Sequence, residues 1–382
     1  MVAWLVDGAR SAPLSEEVMT ELCERLVACG MPLARAAVFV RTLHPQVMAR
    51  RFLWRPGEKT DVAEAPYERA ETQEFRQSPL VRLYATGKAI RRRLADPDCP
   101  IDFAVLEEFR AEGVTDYYAT PLVSTDGQIH AATWTTRQAG GFTDAQIAGL
   151  DAVLAPLARV AEIRALRRTA VNLLDAYVGH EAGERILAGR IRRGDTEVIH
   201  AAIWLSDMRG FTALADSMAP QALIALLNRF FDCQVPAIEA HGGEVLKFMG
   251  DGLLAIFRIG SEAQAGEVCG RALAAAREAQ AKILAMRETG ADVSEEPVRF
   301  GLALHVGEAL YGNIGGGGRL DFTCIGPAVN MAARLEKVAS QLGRVIVGSN
   351  AFARYLPGDF MPLGEFALQG FRAAETVFGL RA

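Results

Sequence analysis

Two short acidic interruptions of apolar runs hold the residue types best suited to chemistry. The first is Ala201-Ala-Ile-Trp-Leu-Ser-Asp207-Met-Arg-Gly-Phe-Thr212, and the second is Gly242-Gly-Glu-Val-Leu-Lys247-Phe-Met-Gly-Asp251-Gly-Leu-Leu-Ala-Ile-Phe257. Each reads as a buried strand with a carboxylate at a turn, where backbone can approach a ligand. Hard divalent cations prefer oxygen ligands. Asp207 and Asp251 on neighbouring strands would grip such an ion, and two ions bridged by such a pair can act on a phosphate. A third group lies downstream, where Asn330 and Arg334 are four apart on a helix starting near Pro327. That spacing puts both side chains on one helix face, and an Asn with an Arg can bind a ribose and stabilise phosphate charge.

These groups need a scaffold, and the bulk numbers supply one. A chain of 382 residues suggests two domains and a connector. Half its residues are apolar and 23% are charged, as in a globular protein. A net charge of −5 argues against a nucleic-acid partner held by bulk electrostatics. The cysteines (Cys23, Cys29, Cys99, Cys233, Cys269, Cys324) are scattered without a CxxC pair, which suggests reduced thiols in a cytosolic protein. The histidines are equally dispersed, so no zinc site is expected. No run of about 18 apolar residues occurs, so no membrane span is expected. The N-terminus has an early acid and no basic stretch, unlike a signal peptide. The expectation is a cytoplasmic protein.

The front of the chain alternates helix and strand signals. Residues 14–30 predict a helix capped by Ser15, with Val18, Leu22, Leu26 and Val27 on one face and Gly30 ending it. Residues 36–43 and 49–55 predict two strands joined near His44-Pro45. Residues 75–94 read as helical or mixed and end in the basic run Arg91-Arg92-Arg93. A helix from Asp102 to Glu112 stops at Gly113. The segments from Tyr117 and from Ile129 predict a hairpin turned by Asp126-Gly127. This α/β pattern resembles a GAF-like sensor domain in architecture, over residues 1–155. His44, Trp54, the arginine run, Tyr117, Tyr118 and Trp134 could face a ligand, but strand aromatics usually serve the core, and arginine runs are usually solvated.

From Asp144 to about Ala188 the pattern is almost continuously helical. Ile147, Leu150, Leu154, Leu157, Ala161 and Leu166 suit a helix–helix seam, and Pro156 should kink or break it. Residues 156–197 are therefore expected to be a helical signalling linker that pairs in a dimer.

Beyond Asp251 come a long Ala-rich helix to about Arg287, a charged loop to Pro297 and an apolar strand from Val298 to Gly307. A hairpin with the glycine-rich tip Tyr311-Gly-Asn-Ile-Gly-Gly-Gly-Gly-Arg319 follows. The last signature is Thr323-Cys-Ile-Gly-Pro-Ala-Val-Asn330-Met-Ala-Ala-Arg334. With the two acidic stretches, it makes residues 198–382 resemble the catalytic domain of class III nucleotidyl cyclases, the adenylate and guanylate cyclase family. The intervals from Lys247 to Asp251, Thr323 to Asn330 and Asn330 to Arg334 match the family pattern.

The resemblance implies an α+β chain whose C-terminal domain is ferredoxin-like, of βαββαβ type. It implies that Asp207 and Asp251 hold two divalent ions, Mg2+ or Mn2+. One ion would acidify the ribose 3′-hydroxyl and the other would anchor the triphosphate. Backbone around Met208, Arg209, Gly210, Phe211 and Thr212 would cradle phosphates. Lys247 and Thr323 would read adenine, Asn330 would orient the ribose, and Arg334 would stabilise transition-state charge. Arg319 is a candidate triphosphate contact, and Arg372 could replace a lysine that other members carry near the C-terminus.

The implied reaction converts ATP to 3′,5′-cyclic AMP and pyrophosphate in a homodimer. Asp207 and Asp251 of one chain would face Lys247, Thr323, Asn330 and Arg334 of the other. A small-molecule or protein effector would act on the N-terminal domain. A guanylate cyclase would carry Glu and Cys at the base-reading positions, and a catalytically silent regulator would usually lack one of the site residues. A diguanylate cyclase would need a Gly-Gly-Asp/Glu-Glu-Phe loop, whereas Gly-Leu-Leu follows Asp251 here.

Overall fold

The computed structural model describes residues 1–288 and 298–381. The charged loop up to Pro297 lies outside the described residues. The chain divides into two compact units, Met1–Leu173 and Leu174–Ala382, with the division inside one long helix.

The first unit is built on an antiparallel sheet of six strands: β1 (Arg35–Arg41), β2 (Val47–Trp54), β3 (Asp61–Pro66), β4 (Ile90–Arg92), β5 (Asp116–Val123) and β6 (Ile129–Thr136). Their order is β3-β2-β1-β6-β5-β4. Helix Ser15–Ala28 and the start of helix Asp144–Val178 share a core, Leu22 and Leu26 from the first meeting Leu150, Val153 and Leu157 from the second. Trp54 and Trp134 are buried in the same cluster. Helices Pro79–Thr86 and Ala104–Ala111 contribute Leu83, Leu106 and Phe109 to a separate core with Tyr117 and Ala131. Strand side chains alternate between faces, so one sheet feeds both cores.

Several local expectations change. Ser15 is the first helical residue rather than the cap, and the Leu14 N–H at the cap position donates to the Glu17 carboxylate at 2.9 Å. Arg91 and Arg92 lie on strand β4, not on a helix. Arg91 reaches buried Asp116 at 2.8 Å, and Arg92 reaches Asp102 at 2.5 Å. His44 Nδ1 accepts the N–H groups of Gln46 and Val47 and so closes the β1–β2 turn. Tyr118 donates to Asp151 at 2.7 Å. These candidate ligand groups are occupied by the fold.

Pro156 does not break its helix, which runs unbroken from Asp144 to Val178. A proline removes one backbone hydrogen bond; here Val153, Leu157 and Ala158 around it are buried in the core that holds the helix. The helix ends instead at Gly179, whose φ of 87° suits glycine, and a separate helix His180–Leu187 follows.

The second unit contains β7 (Thr196–Arg209), β8 (Glu244–Met249), β9 (Gly252–Arg258), β10 (Arg299–Gly316), β11 (Arg319–Ile325), β12 (Ile346–Ser349), β13 (Phe360–Phe366) and β14 (Glu375–Leu380). The sheet order is β13-β14-β12-β10-β7-β9-β8, with β11 hydrogen-bonded to β10 off this path. The four-strand run β10-β7-β9-β8 takes the fourth, first, third and second strands of a βαββαβ unit, the ferredoxin-like arrangement. The mixed α+β class expected for this region is what is found.

Helices Pro220–Asp232 and Ala265–Glu288 cover one face of this sheet over Trp204, Leu302, Leu304 and Val306. Helix Pro327–Gln341 covers the other over Ala303, Ala309 and Tyr311. Strand β7 is central. It pairs with β10 along its length and with β9 from Ala201 to Asp207.

Candidate active site

Asp207 lies within β7, two residues from its end, and not at a turn as the sequence suggested. Its strand continues to Arg209 because β10 still pairs there, and Gly210, with φ of 76°, then redirects the chain. Asp207 is in register with Gly252 of β9. Asp251 does occupy a turn, between β8 and β9, after Gly250 with φ of 68°. A Cβ added to Gly252 would lie 2.9 Å from the Ser206 carbonyl oxygen, so glycine permits the close approach of β9 to β7 beside the two carboxylates.

The carboxylates face one another at hydrogen-bonding reach. Burial first, then Asp251, then the charge of Glu336 push the Asp207 carboxyl well above its usual range, against the opposing Met208 N–H. Asp207 Oδ1 is buried without a hydrogen-bond partner. Two facing acids and an unsatisfied oxygen suit a hard divalent cation such as Mg2+ or Mn2+, which would satisfy the oxygen and remove the repulsion. Among the described residues no group of three or more His, Cys, Asp or Glu side chains forms a complete protein cage. Two carboxylates would leave coordination positions of such an ion open to other oxygen ligands.

The stretch after Asp207 is less open than its sequence suggests. Met208 is packed in the core. Arg209 Nη1 lies 3.2 Å from Glu336 Oε1, so its guanidinium is engaged within the fold. Phe211 and Thr212 open the short helix Phe211–Ser217. Backbone from Gly210 to Thr212 is the part of this stretch left for a phosphate.

Lys247 on β8 reaches across to β11, where its Nζ lies 3.2 Å from Asp321 Oδ2. Thr323 follows two residues along β11, so Asp321 and Thr323 belong to the same strand face. Thr323 is buried, and its hydroxyl has no hydrogen-bond partner. Cys324, the neighbour on the opposite face, packs in the core with Tyr311 and Phe322.

Asn330 and Arg334 are on helix Pro327–Gln341, Asn330 exposed and Arg334 half-buried. Arg334 Nε donates to the Gln369 carbonyl at 3.2 Å, which ties it to the loop before exposed Arg372. Among the described residues no hydrogen bond or ion pair links either side chain to Asp207 or Asp251 within the chain. Arg319 is exposed at the hairpin tip, where Gly317 has φ of 60°.

Two residues at this site escaped sequence reasoning. Asp321 carries a strand-period signal, two positions before Thr323, and Glu336 lies on the opposite side of its helix from Asn330 and Arg334. Neither signal names a partner.

With this geometry in view, the likenesses to other proteins are informative. The family model of the adenylate and guanylate cyclase catalytic domain matches residues 196–380. Adenylate cyclase 1 of Rhizobium meliloti is 29% identical over 177 residues, which are 45% of this chain and 26% of that protein. An adenylate cyclase of Anabaena cylindrica is 29% identical over 167 residues, 44% of this chain and 32% of that protein. The crystal structure of the adenylyl cyclase CyaB from P. aeruginosa aligns with a TM-score of 0.45 at 25% identity, covering 49% of this chain and 96% of that one. The chain thus spans only 26–32% of the length of these two curated relatives. Residues 196–380 thus match the catalytic domain of the adenylate and guanylate cyclases, the class III nucleotidyl cyclases. No helix among the described residues is long and apolar enough to cross a membrane.

Proposed function

We propose that the protein is an adenylate cyclase that converts ATP to 3′,5′-cyclic AMP and pyrophosphate at sites shared across a homodimer. The observation that carries the reading is the Asp207–Asp251 pair with its unsatisfied buried oxygen, together with Lys247 of β8 reaching across to the β11 face that carries Thr323. Two divalent cations held by the carboxylates would neutralise triphosphate charge and acidify the ribose 3′-hydroxyl.

The protein's own groups supply recognition and positioning. Lys247 donates to adenine N1, which guanine carries protonated and cannot offer as an acceptor. The free Thr323 hydroxyl completes the polar pair at the base edge. Asn330 orients the ribose. Arg334 stabilises the charge that grows on the reacting phosphate. The 3′-oxygen bonds to the α-phosphorus as the bond to the pyrophosphate oxygen breaks, and the hydroxyl proton passes to solvent. Such an in-line displacement within one nucleotide depends chiefly on positioning and charge.

The carboxylates of one chain work with Lys247, Thr323, Asn330 and Arg334 of its partner. Solvent exposure of Asn330, with no hydrogen bond from it to Asp207 or Asp251 among the described residues, supports this sharing. Residues 1–155 act as a GAF-like regulatory domain, and residues 156–197 as the linker that conveys its state to the cytoplasmic catalytic domain.

The test is product analysis of the purified chain with Mn2+ and either ATP or GTP. Cyclic AMP from ATP is expected. Cyclic GMP from GTP alone would assign the other specificity, and no cyclic nucleotide from either would leave a silent regulator.

A further inference from the structure

Asp207 and Arg209 are two apart on β7, so both side chains leave the same face of the sheet. A guanidinium two positions along the strand from a half-buried carboxylate gains a strong charge-assisted bond by pairing with it. It does not do so here. Arg209 instead pairs with Glu336 at 3.2 Å, with the two side chains only 16% and 11% exposed. Its Nη2 also reaches the Arg344 carbonyl at 3.4 Å.

The backbone is adapted to this arrangement. Gly301 of β10 stands opposite Asp207, and a Cβ added there would lie 2.0 Å from Arg209 Nη2. Glycine therefore lets the guanidinium lie across β10 toward helix Pro327–Gln341. Asp207 Oδ1 remains buried and unpartnered two residues away.

Glu336 also acts on the pair electrostatically. Its charge is felt at Asp207, and the charge of Asp251 is felt at Glu336. Without Arg209 the two carboxylates would have a third acid beside them. Without Glu336 they would have an unpaired cation beside them.

We propose that Glu336 is a positioning residue for the cation site: it holds Arg209 away from Asp207, keeping that carboxylate free for a divalent ion, while Arg209 cancels the charge Glu336 would add. The proposal rests on the reading of Asp207 and Asp251 as cation ligands. Glu336 shares its helix with Asn330 and Arg334, so the same ion pair ties that helix to the strand carrying Asp207.

The ion pair predicts effects of opposite sign. Mn2+ binding to the full chain is measured by electron paramagnetic resonance at pH 8.5, with 3′-deoxy-ATP present so that cyclisation cannot occur. Glu336→Gln frees Arg209 to occupy Asp207 and weakens Mn2+ binding by about tenfold. Arg209→Met leaves an added negative charge, and affinity stays the same or rises. The double variant returns to within about threefold of the wild type, as does Glu336→Asp, which keeps the charge.

A merely structural role would weaken binding in both single variants and more in the double, and that outcome overturns the proposal. Unchanged affinity in Glu336→Gln overturns it as well. Asp207→Asn is the control for the underlying reading. If it binds Mn2+ as the wild type does, the cation assignment itself fails, and the proposal with it.

Discussion

Lys247 Nζ on β8 lies 3.2 Å from Asp321 Oδ2 on β11, bridging two strands that are not neighbours in the main sheet order. The contact brings Lys247 to the strand face shared by Asp321 and the unpartnered Thr323 hydroxyl. Both members of the ion pair are partly exposed, and such pairs contribute less than about 1 kcal/mol. On the proposed reading, Lys247 leaves Asp321 for a base at little cost, and the pair holds the lysine ready.

Base preference should therefore move with these two positions. Lys247→Glu combined with Thr323→Cys is expected to lower kcat/KM for ATP by at least about tenfold and raise the ratio for GTP over ATP. Steady-state assays with each nucleotide check this. An unchanged ratio would remove both residues from base recognition.

Asp207→Asn is expected to lower turnover by about a thousandfold or more, because a cation ligand is lost. Its effect on stability runs the other way. The Asp207 carboxyl is raised by burial and by Asp251, so its penalty is absent below the unfolded value near pH 4 and grows as pH rises through the folded value. In EDTA the variant should match the wild-type melting temperature near pH 4 and exceed it at pH 8. A lower melting temperature at pH 8 would contradict the crowded-carboxylate description.

Shared sites predict complementation. Asp207→Asn and Arg334→Ala chains, each inactive alone, should regain up to about a quarter of wild-type activity when mixed and allowed to exchange. Half the dimers would be mixed, and each would hold one intact site of two. Activity that never rises above the separate variants would argue for sites complete within one chain.

Glu244 offers a pH test away from the cation site. Burial first, then the charge of Glu181, push its carboxyl up to about 7, against the Tyr311 hydroxyl donating at 2.6 Å and the charges of Arg258 and Arg185. Its Oε2 is buried and unpartnered. The wild type should lose stability between about pH 4.5 and 7 as this group ionises, on the order of 1–2 kcal/mol, whereas Glu244→Gln should not. Thermal melts at pH 5 and pH 8 compare the two. Parallel pH profiles would show that the carboxyl ionises without penalty.

Much of the fold was legible locally. Continuous apolar runs and glycine punctuation mark β7, β9 and β10, and the Pro327 start marks the helix with Asn330 and Arg334, because each depends on residues within a few positions. The same local rules read residues 75–94 as helical or mixed, and pairing of β4 with β5 and an ion pair to buried Asp116 make Arg91 and Arg92 a strand. At Pro156, where they expected a kink or a break, the helix does not break, and Leu157 and its neighbours are buried in the core.

At the candidate site, residue types, intervals and the family resemblance by themselves nominated side chains to hold a cation, read a base and meet a phosphate. They did not determine which of these groups are free. Arg209 is committed to Glu336, more than a hundred positions away in the chain, while its near neighbour Asp207 keeps an unsatisfied oxygen. That choice depends on the register of β7 against β10, on the space above Gly301 and on the placement of helix Pro327–Gln341. Charge pairing is short-ranged in space and indifferent to chain separation, so only the tertiary structure could decide it.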